Sequence, residues 1–156
     1  LTEFPEYATP EAQQEVPDPA DDSTFERSRI DLSERVRHAP VYRLHRDLLH
    51  LRREDRVLAR QDRSALDGAV LGPQALVLRY SGPLDDDRLL VVNLGQDLNF
   101  RPAPEPLLAP VAGGAWILQW SSDHPRYGGP GIVNPLTDEG WRIPASTATL
   151  FRAEKP

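Results

Sequence analysis

Carboxylates are the commonest chemistry-bearing side chains in this chain, with 24 Asp and Glu against 18 Lys and Arg in 156 residues. Paired carboxylates can hydrolyse glycosidic bonds, one as acid and the other as nucleophile or base. No spacing here singles out such a pair. Asp18, Asp21 and Asp22 stand close enough to offer oxygen ligands to a cation. They lack the glycine and distal glutamate of a calcium-binding loop, so a solvated acidic loop is expected and no metal. His45 and His50 are five apart, off the i, i+4 spacing of helical zinc ligands, and His38 and His124 stand alone. No G-x-S-x-G elbow occurs. The run Gly128-Gly129-Pro130-Gly131 has no following Lys-Ser/Thr, so it reads as a wide turn and not a phosphate loop. No cofactor is called for. Trp116, Trp120, Tyr127 and Trp141 have the flat faces of a sugar-stacking platform. Trp116 and Trp120 are four apart and so share one face of a regular strand. The simpler reading places these aromatics in a hydrophobic core.

The element around which these residues are arranged is a helix over Pro40–Arg60. Leu44, Leu48, Leu51 and Leu58 recur on one stripe, widened by Tyr42 and Leu49. Pro40 suits the first turn. Such a stripe must dock on something, and the expected partner lies outside this chain. Before the helix, Thr9-Pro10-Glu11 reads as a capped helix start. The run Val16–Asp22 carries two prolines and three aspartates and reads as loop. Ser23 and Glu26 have capping-box spacing.

After Arg60 the periodicity becomes that of strands: Ala69–Leu71, Ala75–Tyr80, Arg88–Asn93, Trp116–Trp120 and Thr147–Phe151, with weaker strands at Phe100 and Leu107-Leu108. Their close spacing predicts an antiparallel β-sandwich over residues 64–156. Val77, Leu90, Val92, Ile117 and Leu150 are its expected core.

Composition narrows the function classes. Sixteen prolines and a 39% hydrophobic share favour a loop-rich chain over a helical bundle. A net charge of −6 argues against nucleic acid as a partner. No apolar run is long enough to span a membrane. The first residues lack the basic start and apolar core of a signal peptide. Cysteine is absent, which removes disulfides, thiol catalysis and cysteine-ligated zinc and fits a cytoplasmic protein. Methionine is absent too and the chain opens on Leu1, so a fragment or a processed product is expected.

Four stretches then go further. FPEYATPEAQQEVPDPADDSTFERSRIDLSE, the helix YRLHRDLLHLRREDRVL, the strand LLVVNLG and the loop WSSDHPRYGG together resemble the C-terminal part of maltooligosyltrehalose trehalohydrolases, glycoside hydrolases of the α-amylase superfamily. Val16–Ser28 is the most specific part, and Leu32 stands where the family pattern has an aromatic. The resemblance implies a mixed architecture: residues 1–63 as the loop after the eighth strand and the last helix of a (β/α)₈ barrel, and residues 64–156 as the antiparallel β-sandwich that follows it. It implies a parent enzyme of trehalose biosynthesis that cleaves the α-1,4 bond joining a maltooligosyl chain to trehalose, by retaining chemistry with two carboxylates about 5 Å apart. The family's aspartate nucleophile, glutamate acid and second aspartate come from earlier strands, and none matches a position here. This chain alone is therefore expected to be inactive. Barrel loops at the strand C-terminal ends build the active site, which makes Asp18 and Phe25 the expected substrate-binding residues. The maltooligosaccharide-type substrate is met through the parent, and the missing barrel docks on Leu44, Leu48, Leu51 and Leu58. The alternatives are the C-terminal region of a glycogen branching or debranching enzyme, and a stand-alone carbohydrate-binding β-sandwich.

Overall fold

The computed structural model describes Pro5, residues 9–103 and residues 105–155. It divides into two units, Leu1–Arg37 and His38–Pro156. Among its described residues the first unit carries three short helices: α1 (Pro10–Gln14), α2 (Asp22–Ser28) and α3 (Glu34–Arg37). Thr9 caps α1 as expected, its Oγ1 accepting the Ala12 N–H at 3.2 Å with Pro10 in the first turn. The expected box from Ser23 to Glu26 is replaced by a cap two residues earlier. Asp21 accepts the Ser23 N–H at 2.8 Å, a charge-assisted contact at the positive end of the helix. Glu26 pairs instead with Arg29 at 2.9 Å. None of these helices buries a residue.

The second unit opens on α4 (Ala39–Glu54), with Pro40 in its first turn. This helix ends six residues before the expected Arg60. Asp55 leaves the helical conformation, and its Oδ1 accepts the N–H groups of Val57 and Leu58 at 3.0 and 3.1 Å. That carboxylate competes with the helix for the backbone donors. Leu58–Arg60 then forms a separate 3₁₀ turn, closed by Gln61 in the left-handed region.

Among the described residues eight strands follow: β1 (Leu66–Gly72), β2 (Ala75–Tyr80), β3 (Arg88–Asn93), β4 (Leu98–Phe100), β5 (Ala115–Ser121), β6 (Leu136–Thr137), β7 (Gly140–Ile143) and β8 (Thr147–Glu154). They make two antiparallel sheets, one ordered β1-β2-β3-β8-β5 and the other β4-β7-β6. Leu107-Leu108 is not a strand. Pro106 and the Glu105 carboxylate, which accepts the Leu107 N–H at 2.9 Å, turn that segment into a 3₁₀ turn. Gly140 has a positive φ, and a Cβ there would collide with the Phe100 carbonyl, so β4 and β7 approach closely only with glycine.

The core lies between the sheets. Val77, Leu89, Val91, Ile143 and Phe151 are fully buried, joined by Leu108, Trp116, Trp141 and Ala153. Trp141 and Phe151 meet edge to face across the two sheets, with centroids 5.3 Å apart. Of the five residues expected in the core, Val77 alone belongs to this cluster. Leu90 pairs with Leu150 while Leu89 pairs with Phe151. The period-2 alternation therefore places Leu90, Val92 and Leu150 on the other face of the larger sheet. Leu150 is buried there, and Leu90, Val92 and Ile117 are half-buried.

Candidate functional site

That second face is where α4 lies. Leu48, Leu51 and Leu58 on the helical side, with Leu66, Tyr80, Leu90, Trp120 and Leu150 on the sheet side, line a cleft of about 480 Å³. Arg52, Gln61, Asp62 and Arg63 complete the lining with polar groups. Two polar clamps hold α4 above the sheet, one near each end of this cleft.

The first clamp is at Asp47. Its Oδ2 accepts the Tyr127 hydroxyl at 2.8 Å and pairs with Arg126 Nη2 at 3.0 Å. The same Tyr127 oxygen accepts the Trp120 indole N–H at 3.2 Å. The chain Trp120–Tyr127–Asp47 thus runs from the sheet through the loop after β5 to the helix. The Tyr127 hydrogen bond, aided by Arg126 and Arg46, holds the Asp47 carboxyl below its ordinary pKa despite partial desolvation. Burial and the Asp47 carboxylate push the Tyr127 phenol upward.

The second clamp is at Asp55. Arg88 Nε donates to Asp55 Oδ2 at 2.7 Å and Arg88 Nη1 to Asp86 Oδ1 at 2.7 Å, with Asp55 and Arg88 almost fully buried. Gln119 Nε2 adds a longer contact to Asp55 at 3.4 Å. Burial raises the Asp55 pKa, but the hydrogen bonds from Arg88, Leu58 and Val57 and the Arg88 charge outweigh it. The net shift is downward. Beside it, Asp87 holds Arg79 at 2.8 Å, and Arg79 reaches the Ala109 carbonyl at 2.8 Å and lies over Trp116. The adjacent residues Asp86, Asp87 and Arg88 therefore tie both faces of the sheet at one end.

Trp116 and Trp141 take the simpler reading and lie in the core, so the alternative sugar-stacking platform is not assembled. A bulge between Leu118 and Trp120 shifts the β5 register. Trp116 points into the core with Trp141, while Trp120 pairs with Leu150 on the opposite face and meets Tyr127 at a centroid distance of 6.2 Å. Neither the bulge nor the 33-residue separation of Asp55 and Arg88 leaves a local pattern, which is why spacing missed both.

Asp18 and Phe25 belong to the first unit. Asp18 Oδ1 accepts the Ala20 N–H at 2.9 Å, and Phe25 stands on α2 with 66% of its surface exposed. His45 Nδ1 contacts the Val41 carbonyl at 2.9 Å, and His124 Nδ1 accepts the Arg126 N–H at 3.0 Å. Among the described residues, no group of three or more His, Asp or Glu is placed to hold a metal ion, and no helix is long and apolar enough to cross a membrane.

Residues 63–150 match a protein family described as a domain of unknown function, DUF3459. The chain is also 42% identical over 86 residues to the malto-oligosyltrehalose trehalohydrolase of Deinococcus radiodurans. That alignment covers 54% of this chain and 14% of that protein, so the match reaches only a small part of the relative. No solved structure matches.

Proposed function

The chain belongs to the DUF3459 family, and from that premise we propose that it is the C-terminal, non-catalytic portion of a glycoside hydrolase of the α-amylase superfamily that releases trehalose from maltooligosyltrehalose. The 42% identity over 86 residues to a trehalohydrolase is the observation that carries this reading. In it, the catalytic carboxylates reside in a (β/α)₈ barrel contributed by other parts of the polypeptide, and residues 1–37 lie on the loop side of that barrel. Asp18 and Phe25 then contact the maltooligosaccharide. Asp18→Ala and Phe25→Ala in the intact enzyme change kcat or KM without lowering thermal stability.

The barrel packs along α4. Leu48, Leu51 and, beyond the helix end, Leu58 of the expected stripe already line the cleft against this chain's own sheet. Leu44, with the exposed Val41 and Leu49, lies at helical spacing on the adjoining side. These three residues form the docking row.

The test is an exchange. Residues 63–150 of this chain replace the matching segment of the D. radiodurans enzyme, and trehalose release is assayed beside the 156-residue chain alone. The reading expects release by the chimera and none by the chain alone. A folded but inert chimera, or turnover by the isolated chain, overturns it.

A further inference from the structure

The cleft under α4 has a composition that a docking row does not account for. Its floor and walls are leucines with Trp120 and Tyr80, and its volume of about 480 Å³ falls within the range of small-molecule sites, roughly 300–1,000 Å³. Collapse of the helix onto the sheet would remove this apolar surface from water. The clamps at Asp47 and Asp55 fix the height of α4 and so hold the space open.

The polar part of the lining is uneven in charge. Asp62 is already engaged: it pairs with Arg60 at 3.5 Å, and its Oδ1 accepts both the Ser64 N–H and the Ser64 hydroxyl. Arg52 makes one long contact, Nη2 to Gln61 Oε1 at 3.3 Å. Arg63 has no ion pair among the described residues. Two guanidinium groups without a carboxylate therefore stand beside an apolar hollow.

We propose that this cleft binds a small amphipathic carboxylate, its apolar body between Leu51 and Leu150 and its acid group on Arg52 and Arg63. A guanidinium takes a carboxylate through paired N–H donors. The leucine walls disfavour a sugar, whose hydroxyls would lose water without gaining partners. The occupancy goes beyond the structural role proposed above, since it uses the sheet side of α4 and leaves the docking row free.

The experiment uses the purified 156-residue chain and isothermal titration calorimetry with decanoate as the carboxylate and 1-decanol as its neutral counterpart. The expected result is saturable binding of one decanoate per chain, about tenfold or more tighter than decanol, since a charge-assisted contact carries at least that factor. The double variant Arg52→Glu, Arg63→Glu weakens decanoate by about tenfold or more and leaves decanol within about threefold. Leu48→Trp, at the partly exposed edge of the cleft, blocks both ligands. The comparison of decanoate with decanol needs no variant, so misfolding of a variant does not shield the proposal. Equal affinity for the two ligands, indifference to the arginine changes, or no saturable decanoate binding would overturn it. Equal affinity would instead mark the cleft as a plain apolar interface to protein.

Discussion

The two faces of the five-stranded sheet are made from alternate residues of the same strands, yet they are finished in different ways. On the inner face Val77, Leu89, Val91 and Phe151 have no exposed surface, and Trp141 of the smaller sheet packs directly on Phe151. On the outer face Leu90, Val92 and Ile117 remain half-buried, Leu150 is covered, and Val70 and Leu76 are exposed. A sheet packed against the inner face fills the space between side chains. A single helix over the outer face covers a narrower strip and leaves a cleft beside it. The inner face is held mainly by shape, in keeping with close-packed interiors, with the Arg79–Asp87 pair at its end. The outer face is held by charge at its ends, through Asp47 and Asp55. Stability should therefore depend on methylene groups on one side and on specific polar contacts on the other.

The sharpest break of this comparison is Phe151→Ala. It removes a fully buried ring at the centre of the filled face, and a cost of about 3–5 kcal/mol is expected, read from chemical unfolding. Next is Asp55→Asn, which leaves Arg88 buried with Asp86 as its remaining carboxylate. Losing one partner of a buried pair costs roughly 3 kcal/mol, the lower end of the usual range. The pH dependence of the wild type checks the same clamp. The folded pKa of Asp55 lies below its ordinary value of 3.8. Its contribution is thus fully present above the unfolded value and is lost as pH falls through the folded one. Acid unfolding of the wild type below pH 3.8 should lose part of its steepness in Asp55→Asn. Leu90→Ala follows. Leu90 lines the cleft, so its truncation enlarges an existing opening, and about 1–2 kcal/mol is expected, less than a sealed leucine site would lose. A loss at Leu90 equal to that at Phe151 would erase the distinction between the faces.

How much of this was legible beforehand follows from the same contrast. The strand runs and the Thr9 cap carry local signals: β-branched alternation in one case, a hydroxyl before proline in the other. Which face each strand residue takes does not. Leu89-Leu90-Val91-Val92 is apolar on both sides because both sides are covered, so alternation gives no phase. The helix end at Asp55 was hidden for a different reason. Leu58 continues the heptad spacing beyond the true terminus, while the group that stops the helix is a carboxylate whose partner Arg88 lies on β3. The aromatic spacing of Trp116 and Trp120 misled because the bulge inserts one residue between them and reverses the face. Register shifts and distant ion pairs are tertiary facts. For the candidate site, Leu48, Leu51 and Leu58 were visible as a stripe, but the sheet-side wall was not.

The smallest expected effect tests the other clamp. Tyr127→Phe keeps the ring against Trp120 and removes only the hydroxyl that links the indole to Asp47. Asp47 retains Arg126 at 3.0 Å and is partly reached by water, so its carboxylate is not left stranded, while the half-buried Trp120 indole N–H loses its acceptor. The loss should be about 1 kcal/mol, the usual net value of a hydrogen bond. Two further signs separate a clamp on the helix from a loop contact of no consequence. The Asp47 carboxyl is held down first by this hydrogen bond, so its pKa should rise toward the ordinary value in Tyr127→Phe, measurable by carboxyl NMR titration. Amide exchange in the first half of α4 should also quicken, while that in β3 and β8 stays at the wild-type rate, because local opening draws on local contacts. Unchanged exchange in α4 together with an unchanged Asp47 pKa would show that the helix is held by its leucines alone, and that the polar clamp near its middle is not what keeps the cleft open.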